Sequence, residues 1–375
     1  MKLNLPPLDI RKLPDTPALL LYMPQFRANL SRMRDMAQKA GKKLRPHAKT
    51  HKSSKVALEQ IKTGNCAGVC AAKLREAEAL RKGGVKEILL TSPVVTEKKM
   101  LALMELLPSS PELMVTLDTF SNGEALSNLA AARGLTLKVL LDIDPGMGRT
   151  GCAVQDAPLL AEKIAKLPNL LFMGIQRYAG NCQHIANFEE RKEKTLAIMQ
   201  EGGELVKALR AKGLPCPIYT GTGTGTASMD KDVPELTDMQ VGSYCMMDSE
   251  YLQIGSSQDP GRNLEYPPAL YLLSSVISAC HDGFVTLDAG LKSLYYTPDS
   301  PPEIQNEGFR YDWHGDEHGM LFYPAGTPRP ENGDLYLMTL PHCDPTIALH
   351  DKFHLWEEDG SISGSWEIDL RNCLQ

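Results

Sequence analysis

Leu137-Lys-Val-Leu-Leu-Asp-Ile-Asp-Pro-Gly-Met-Gly-Arg-Thr-Gly151 is an apolar run that ends in acidic residues and turns on proline and glycine. Its first half, Leu137–Ile143, reads as a buried β-strand, because it is short, rich in aliphatic side chains and closed by a turn signal. Similar runs recur along the chain. A leading strand at Ala18-Leu-Leu-Leu-Tyr22 and a helix over about residues 25–40 come first. Eight strand-like runs follow, at 44–49, 66–70, 87–91, 113–118, 137–143, 171–176, 217–220 and 240–245. Helical stretches separate them, one of them opened by Ser121 and Glu124 in a capping-box pattern. Strands that alternate with helices imply parallel βαβ units, and eight such units point to a closed (β/α)8 TIM-type barrel.

Beyond about residue 262 the helical periodicity fades. Strand-forming runs at Val276-Ile277, Val285-Thr-Leu287, Leu335-Tyr-Leu-Met338 and Ser363–Asp369 lie between Pro- and Gly-rich loops. The expected division is an α/β barrel over 16–262, followed by a C-terminal β domain made of 263–375 together with 1–15.

The 375 residues carry 46 acidic and 40 basic side chains, a net charge of −6. That balance argues against a nucleic-acid partner, which calls for a broad positive face. No apolar run approaches the length of a membrane span, and Ala18–Tyr22 is too short for a signal-peptide core. Nine scattered cysteines, with Cys66 and Cys70 the nearest to a pair, suit a reduced cytoplasmic protein.

Against this acidic background one segment is densely basic: eight of the fourteen residues from Lys42 to Lys55 are Lys, Arg or His. Alone, such a run reads equally as a solvated edge. Here it lies between a strand and the helical pattern Ser53-Ser-Lys-Val-Ala-Leu-Glu-Gln-Ile-Lys62, where barrel enzymes place their chemistry. Crowded positive charge favours the neutral amine of a lysine, and a neutral amine attacks carbonyls. Lys49 is the candidate. The other strand ends carry Asp142, Asp144 and Arg149 after the fifth, then Gln176, Tyr178 and His184 after the sixth. The seventh ends in Gly221-Thr-Gly-Thr-Gly-Thr226, whose N–H groups and hydroxyls suit a phosphate. No Gly-Lys-Ser/Thr follows, which argues against a nucleoside triphosphate. A reactive lysine and a phosphate cradle on one barrel suggest pyridoxal 5'-phosphate, with Arg149 available to its ring nitrogen.

Arg45-Pro-His-Ala-Lys-Thr-His-Lys52, Gly146-Met-Gly-Arg-Thr-Gly151, Gln176-Arg-Tyr-Ala-Gly180 with His184, the Gly/Thr run and Pro341-His-Cys-Asp-Pro-Thr346 stand in this order. In that set the chain resembles the D-threonine aldolase/D-serine dehydratase-like proteins over nearly its whole length. The resemblance implies a fold-type III architecture, an alanine-racemase-like barrel followed by a β domain, as a homodimer. It implies Lys49 as the Schiff-base lysine and Arg149 as the partner of the ring nitrogen. By the same carry-over Tyr178 packs beside the cofactor, and Gly223, Thr224, Gly225 and Thr226 hold the phosphate with Tyr244 close by.

His342-Cys-Asp344 is the C-terminal signal. A histidine with a carboxylate two residues on suits Mn²⁺ or Mg²⁺, whereas a thiolate in that place favours Zn²⁺. Read as a strand, His342 and Asp344 share a face and Cys343 points away. The family's dehydratases carry His-x-Cys and its aldolases His-x-Asp, so this chain has the aldolase pattern. A one-residue shift brings in Cys343 instead, and His350 and Asp351 are nearby substitutes. The implied reaction is retro-aldol cleavage of a D-β-hydroxy-α-amino acid, of D-threonine or 3-hydroxy-D-aspartate type, to glycine and an aldehyde. His184 is then the base for the hydroxyl proton. A substrate with a second carboxylate needs a further cation, for which Arg177 and Arg262 are candidates. The alternatives are a dehydratase on the same scaffold, then a racemase or a non-catalytic pyridoxal-phosphate carrier.

Overall fold

The computed structural model describes residues 5–9 and 13–375. Strand β1 (Ala18–Tyr22) runs into helix α1 (Met23–Lys39). The alternation then proceeds as β2 (Lys43–Leu44), α2 (Ser54–Thr63), β3 (Val69–Ala71), α3 (Leu74–Lys82), β4 (Ile88–Leu90) and α4 (Glu97–Leu106). It continues through β5 (Met114–Leu117), α5 (Phe120–Ala131), β6 (Leu137–Asp142), α6 (Ala157–Ile164), β7 (Leu170–Arg177) and α7 (Phe188–Ala211). The last elements of this series are β8 (Ile218–Gly221), α8 (Ala227–Asp230) and β9 (Asp238–Met239).

Strands β2 to β9 form one parallel sheet in the order β2-β9-β8-β7-β6-β5-β4-β3. Its two ends meet through parallel bridges, Leu44 to Cys66 and His47 to Cys70. There the Ala48 N–H donates to Cys70 O at 2.9 Å and the Cys70 N–H donates to Pro46 O at 2.8 Å. The sheet is therefore closed, as the eight-unit count implied. The first of the eight strands is shorter than the run 44–49 suggested, since Pro46 has no N–H to continue a ladder. Inside, Cys70, Leu89, Met114 and Leu140 make one buried cluster, with Met173 and Ile218 against it. Helix α5 starts earlier than the Ser121 capping box predicts. Thr119, extended at φ −135°, is the N-cap, and its side chain accepts the Asn122 N–H at 3.4 Å. Ser121 is already inside the helix.

The remaining strands are β10 (Leu270–Ser278), β11 (Phe284–Leu287), β12 (Glu303–Ile304), β13 (Arg310–Trp313), β14 (Gly319–Phe322) and β15 (Leu335–Thr339). They are followed by β16 (Lys352–Trp356) and β17 (Ile362–Glu367). With β1 they form a nine-stranded sheet, mostly antiparallel, in which β15 pairs with β10 and β12. Two short helices belong to the same part of the chain, α9 (Ser249–Leu252) and α10 (Cys343–Ile347). Leu20, Tyr271, Leu273 and Trp356 form a buried cluster of this sheet.

The chain makes two compact units. One holds Met33–Lys49, Ser54–Gly242 and Asn372–Gln375; the other holds the chain up to Arg32, Thr50–Ser53 and Ser243–Arg371. The division differs from 16–262 against the rest because β1 hydrogen-bonds to β10 and β16, so its residues fold with later strands. Among the described residues no helix is long and apolar enough to cross a membrane.

Candidate active site

The barrel unit sorts the basic segment by role. Lys42 is buried, and its ammonium donates to the carbonyl oxygens of Val233 at 2.7 Å, Pro234 at 3.0 Å and Leu236 at 2.8 Å. Arg45 is paired with Asp238 at 2.9 Å, both side chains buried, which ties β2 to β9. Those two cations are structural. Lys49 follows on a turn and is half-buried.

Behind Lys49 runs a chain of buried polar groups along the strand ends. The Thr91 hydroxyl donates to Ala71 O at 3.2 Å and lies 3.1 Å from His47 Nε2. A hydroxyl already donating must accept from its second neighbour, so His47 carries its proton on Nε2. Its Nδ1 is then the acceptor for the Lys49 N–H at 3.3 Å. The Gln176 amide donates to Thr91 O at 3.0 Å and to Asp142 Oδ1 at 2.9 Å. Gln240 donates in turn to Gln176 Oε1 at 3.0 Å and Thr220 Oγ1 at 3.1 Å. Asp142 also accepts from the Thr150 hydroxyl at 2.7 Å. Burial pushes the Asp142 carboxyl up, and the hydrogen bonds from Gln176 and Thr150 hold it back. Thr91 and Gln240 lie in sequence contexts without a motif, and His47 is one basic residue among the eight of Lys42–Lys55.

Arg149 is presented by a built turn. One Asp144 oxygen accepts the N–H groups of Gly146 at 3.0 Å, Met147 at 2.8 Å and Gly148 at 3.2 Å. Gly148 at φ +64° and Gly151 at φ +102° adopt the left-handed conformations the turn needs, and a Cβ on Gly151 would strike the Asp144 backbone. The Arg149 guanidinium lies 5.4 Å from the centre of the Tyr178 ring. Asp142, Met147, Arg149, Thr150 and Tyr178 line one small pocket. His184 sits on the loop after β7 and is exposed.

The Gly/Thr run differs from expectation in one respect: the hydroxyls of Thr222 and Thr226 turn inward. Thr222 and Thr226 donate to one Asp230 oxygen at 2.7 Å and 2.6 Å. The Gln183 side chain accepts the Gly225 N–H at 3.0 Å and donates to Thr226 Oγ1 at 3.0 Å. Cβ atoms on Gly223 or Gly225 would collide with Gln183, which explains both glycines. The Thr222 and Thr226 hydroxyls are thus engaged with Asp230, and an anion at this loop would meet its backbone N–H groups in their place. An amine at Lys49, a cation over an aromatic face and a braced small-residue loop are a set that fits pyridoxal phosphate.

In the second unit His342 is not on a strand. It is the extended N-cap of α10 (φ −143°, ψ 128°), and Asp344 lies in the first turn. The two still converge, with His342 Nε2 3.9 Å from Asp344 Oδ2. His342 Nδ1 faces Asp248 at 3.2 Å and Glu250 at 3.3 Å. Burial opposes charge on His342, but the carboxylates of Asp248, Asp344 and Glu250 outweigh it and lift the ring above its ordinary value. Asp248 also accepts the N–H of Cys343 at 2.9 Å and of Tyr251 at 3.1 Å, so one carboxylate fixes the loop and the ring together. The Cys343 thiol is fully buried, points to Met247 O at 3.5 Å, and is pushed well up by burial and then by Asp248 and Asp344. It is not a thiolate facing His342. His350 bonds Ser293 O at 2.8 Å and Asp351 pairs with Arg371, so both are engaged elsewhere. Tyr244 is buried, edge-on to Tyr266 at 5.9 Å. Among the described residues no cluster of three or more His, Cys, Asp or Glu could hold a metal ion. His342 and Asp344 fit an ion held by two side chains, and the carboxylate on Nδ1 is the usual outer support of a ligand histidine.

Comparison with known proteins gives consistent matches at both levels. The family model for the alanine racemase N-terminal domain matches residues 22–250, and that for a serine dehydratase domain matches 269–356. A D-threonine aldolase from an Arthrobacter species is 34% identical, covering 95% of this chain and 93% of its own. A 3-hydroxy-D-aspartate aldolase from Paracoccus denitrificans (strain Pd 1222) is also 34% identical, covering 95% and 92%. The crystal structure of D-threonine aldolase from Filomicrobium marinum superposes with a TM-score of 0.90 at 32% identity, covering 96% and 97% of the two chains.

Proposed function

This chain belongs to the D-threonine aldolase/D-serine dehydratase-like family of alanine-racemase-like barrels, and on that premise we propose that it is a carbon–carbon lyase. Its substrate is a D-β-hydroxy-α-amino acid, cleaved to glycine and an aldehyde. The observation that carries this over dehydration is the donor pair: His342 meets a carboxylate, Asp344, while the Cys343 thiol is buried and turned to Met247 O.

Pyridoxal phosphate, when bound, supplies an electron sink for the bond broken at Cα. Lys49 Nζ is the amine that anchors its aldehyde carbon. Arg149 would serve the ring nitrogen, where its permanent positive charge would disfavour a proton. Tyr178 packs beside the ring. Gly223, Thr224, Gly225 and Thr226 would hold the phosphate. A divalent ion on His342 and Asp344, Mn²⁺ or Mg²⁺ by the oxygen-rich donors, would polarise the substrate hydroxyl. His184 takes the hydroxyl proton on a ring nitrogen. The buried Asp142–Gln176–Thr91–His47 chain keeps the Lys49 backbone in one place while its side chain works. A homodimer in the cytoplasm completes this reading, and sedimentation of the purified protein checks the first part.

The deciding experiment is product analysis of the purified, cofactor-loaded protein with D-threonine, 3-hydroxy-D-aspartate and D-serine, with EDTA or with added Mn²⁺. Metal-dependent glycine and aldehyde establish the lyase. An oxo acid and ammonia make it a dehydratase, and no product from any of the three discards the aldolase reading.

A further inference from the structure

Asp230 is a wholly buried carboxylate with no cation among its contacts in the described residues; three threonines answer it instead. Thr195 of α7 donates to Oδ1 at 2.8 Å, while Thr222 and Thr226 of the Gly/Thr loop donate to Oδ2 at 2.7 Å and 2.6 Å. Thr222 stands at φ +75°, a conformation that a β-branched residue avoids unless its surroundings impose it. Its hydroxyl bond to Asp230 is an evident restraint. On the other flank Arg191, also buried, donates from Nε to Gly225 O at 2.9 Å. The loop is thus pinned at three of its six residues by buried charged groups that contact none of the proposed reacting atoms.

We propose that Asp230 is the positioning residue of this loop: by drawing the Thr222 and Thr226 hydroxyls inward it sets the backbone that receives the cofactor's phosphate. The inference rests on the reading of Gly223–Thr226 as the phosphate-holding segment. A negative charge placed beneath an anion site is unfavourable unless screened. Burial pushes the Asp230 carboxyl up to about 6, against the pull of the hydroxyls of Thr226, Thr222 and Thr195; near neutral pH it is charged, and those three donors spread that charge.

The test compares two probes that differ only in the phosphate. Full-length protein is stripped of cofactor, and binding of pyridoxal phosphate and of pyridoxal is titrated by visible absorbance. Asp230→Ala should lower the affinity for pyridoxal phosphate roughly tenfold or more, the loss expected when a braced anion site slackens, and leave pyridoxal binding as in the parent. Asp230→Asn should recover part of the ratio. An unchanged ratio in Asp230→Ala, with the parent still preferring pyridoxal phosphate, overturns the role of Asp230 and leaves the loop reading standing. A parent that binds both probes equally overturns the loop reading and this proposal with it. If Asp230→Ala fails to fold by circular dichroism, Thr226→Val and Thr222→Gly decide. Each removes one tether, and glycine accepts φ +75° without strain. A parental ratio in both overturns the proposal; a lowered ratio in either supports it.

Discussion

Asp248 Oδ2 stands 3.2 Å from His342 Nδ1 and 2.9 Å from the N–H of Cys343. One carboxylate therefore orients the imidazole and pins the backbone that carries it. With Nδ1 engaged, Nε2 is the nitrogen left to face Asp344. Supports of this type change metal affinity by roughly 10- to 100-fold when removed. Asp248→Ala should weaken Mn²⁺ binding by that order, read by calorimetry, while the visible band of the bound cofactor persists. Parental Mn²⁺ affinity would show that the carboxylate only caps α9.

The register of the metal pair is open to a direct contrast. Asp344→Ala should abolish metal-dependent turnover and keep the cofactor band. Cys343→Ala removes a buried thiol that faces Met247 O and should cost stability rather than metal dependence. Activity that survives the first change and falls with the second reverses the assignment.

Much of this architecture was legible because it is local. Runs such as Leu137–Asp142 and Ile88–Leu90 announce themselves by composition, and the alternation with helices dictates a parallel sheet. Lys49, Arg149 and Tyr178 stand out as candidates because strand ends of a barrel are where chemistry sits. Non-local facts left no such trace. Nothing in Ala18–Tyr22 says that it pairs with strands more than 200 residues away. Asp248 lies 94 residues from His342 and looks like any helix cap. The strand reading of His342–Asp344 failed because Pro345 is compatible with a first helical turn as well as with a loop, and the chain takes the helix. The glycine-threonine loop showed its backbone freedom, but the inward turn of its hydroxyls depends on Asp230, which carried no motif.

Lys49 has the sharpest single-residue expectation. Lys49→Ala should remove the visible absorbance of the loaded protein, since the alanine offers no amine to the cofactor's aldehyde. His47→Ala is the subtler companion. His47 Nδ1 accepts the Lys49 N–H, and its loss should shift that band or slow reloading without abolishing either. An undiminished band in Lys49→Ala would send the search to another lysine.

The buried Asp230 carboxyl should also mark the pH dependence of stability. Its folded value is raised to about 6, above the ordinary value of about 4 for an aspartate in an open chain. Ionising it is therefore harder in the folded protein than in the unfolded one. The stability that this group contributes is complete below about pH 4 and is lost as the pH climbs to about 6. Asparagine cannot ionise and escapes that loss. The melting temperature of Asp230→Asn minus that of the parent should accordingly rise between about pH 4 and pH 6, by the equivalent of a few kcal/mol at most. Thermal melts of cofactor-free protein, followed by circular dichroism across that interval, read the difference directly. A difference that stays flat would mean that Asp230 ionises as easily folded as unfolded, and one that falls would mean that the three threonine hydroxyls favour its charge more than burial opposes it.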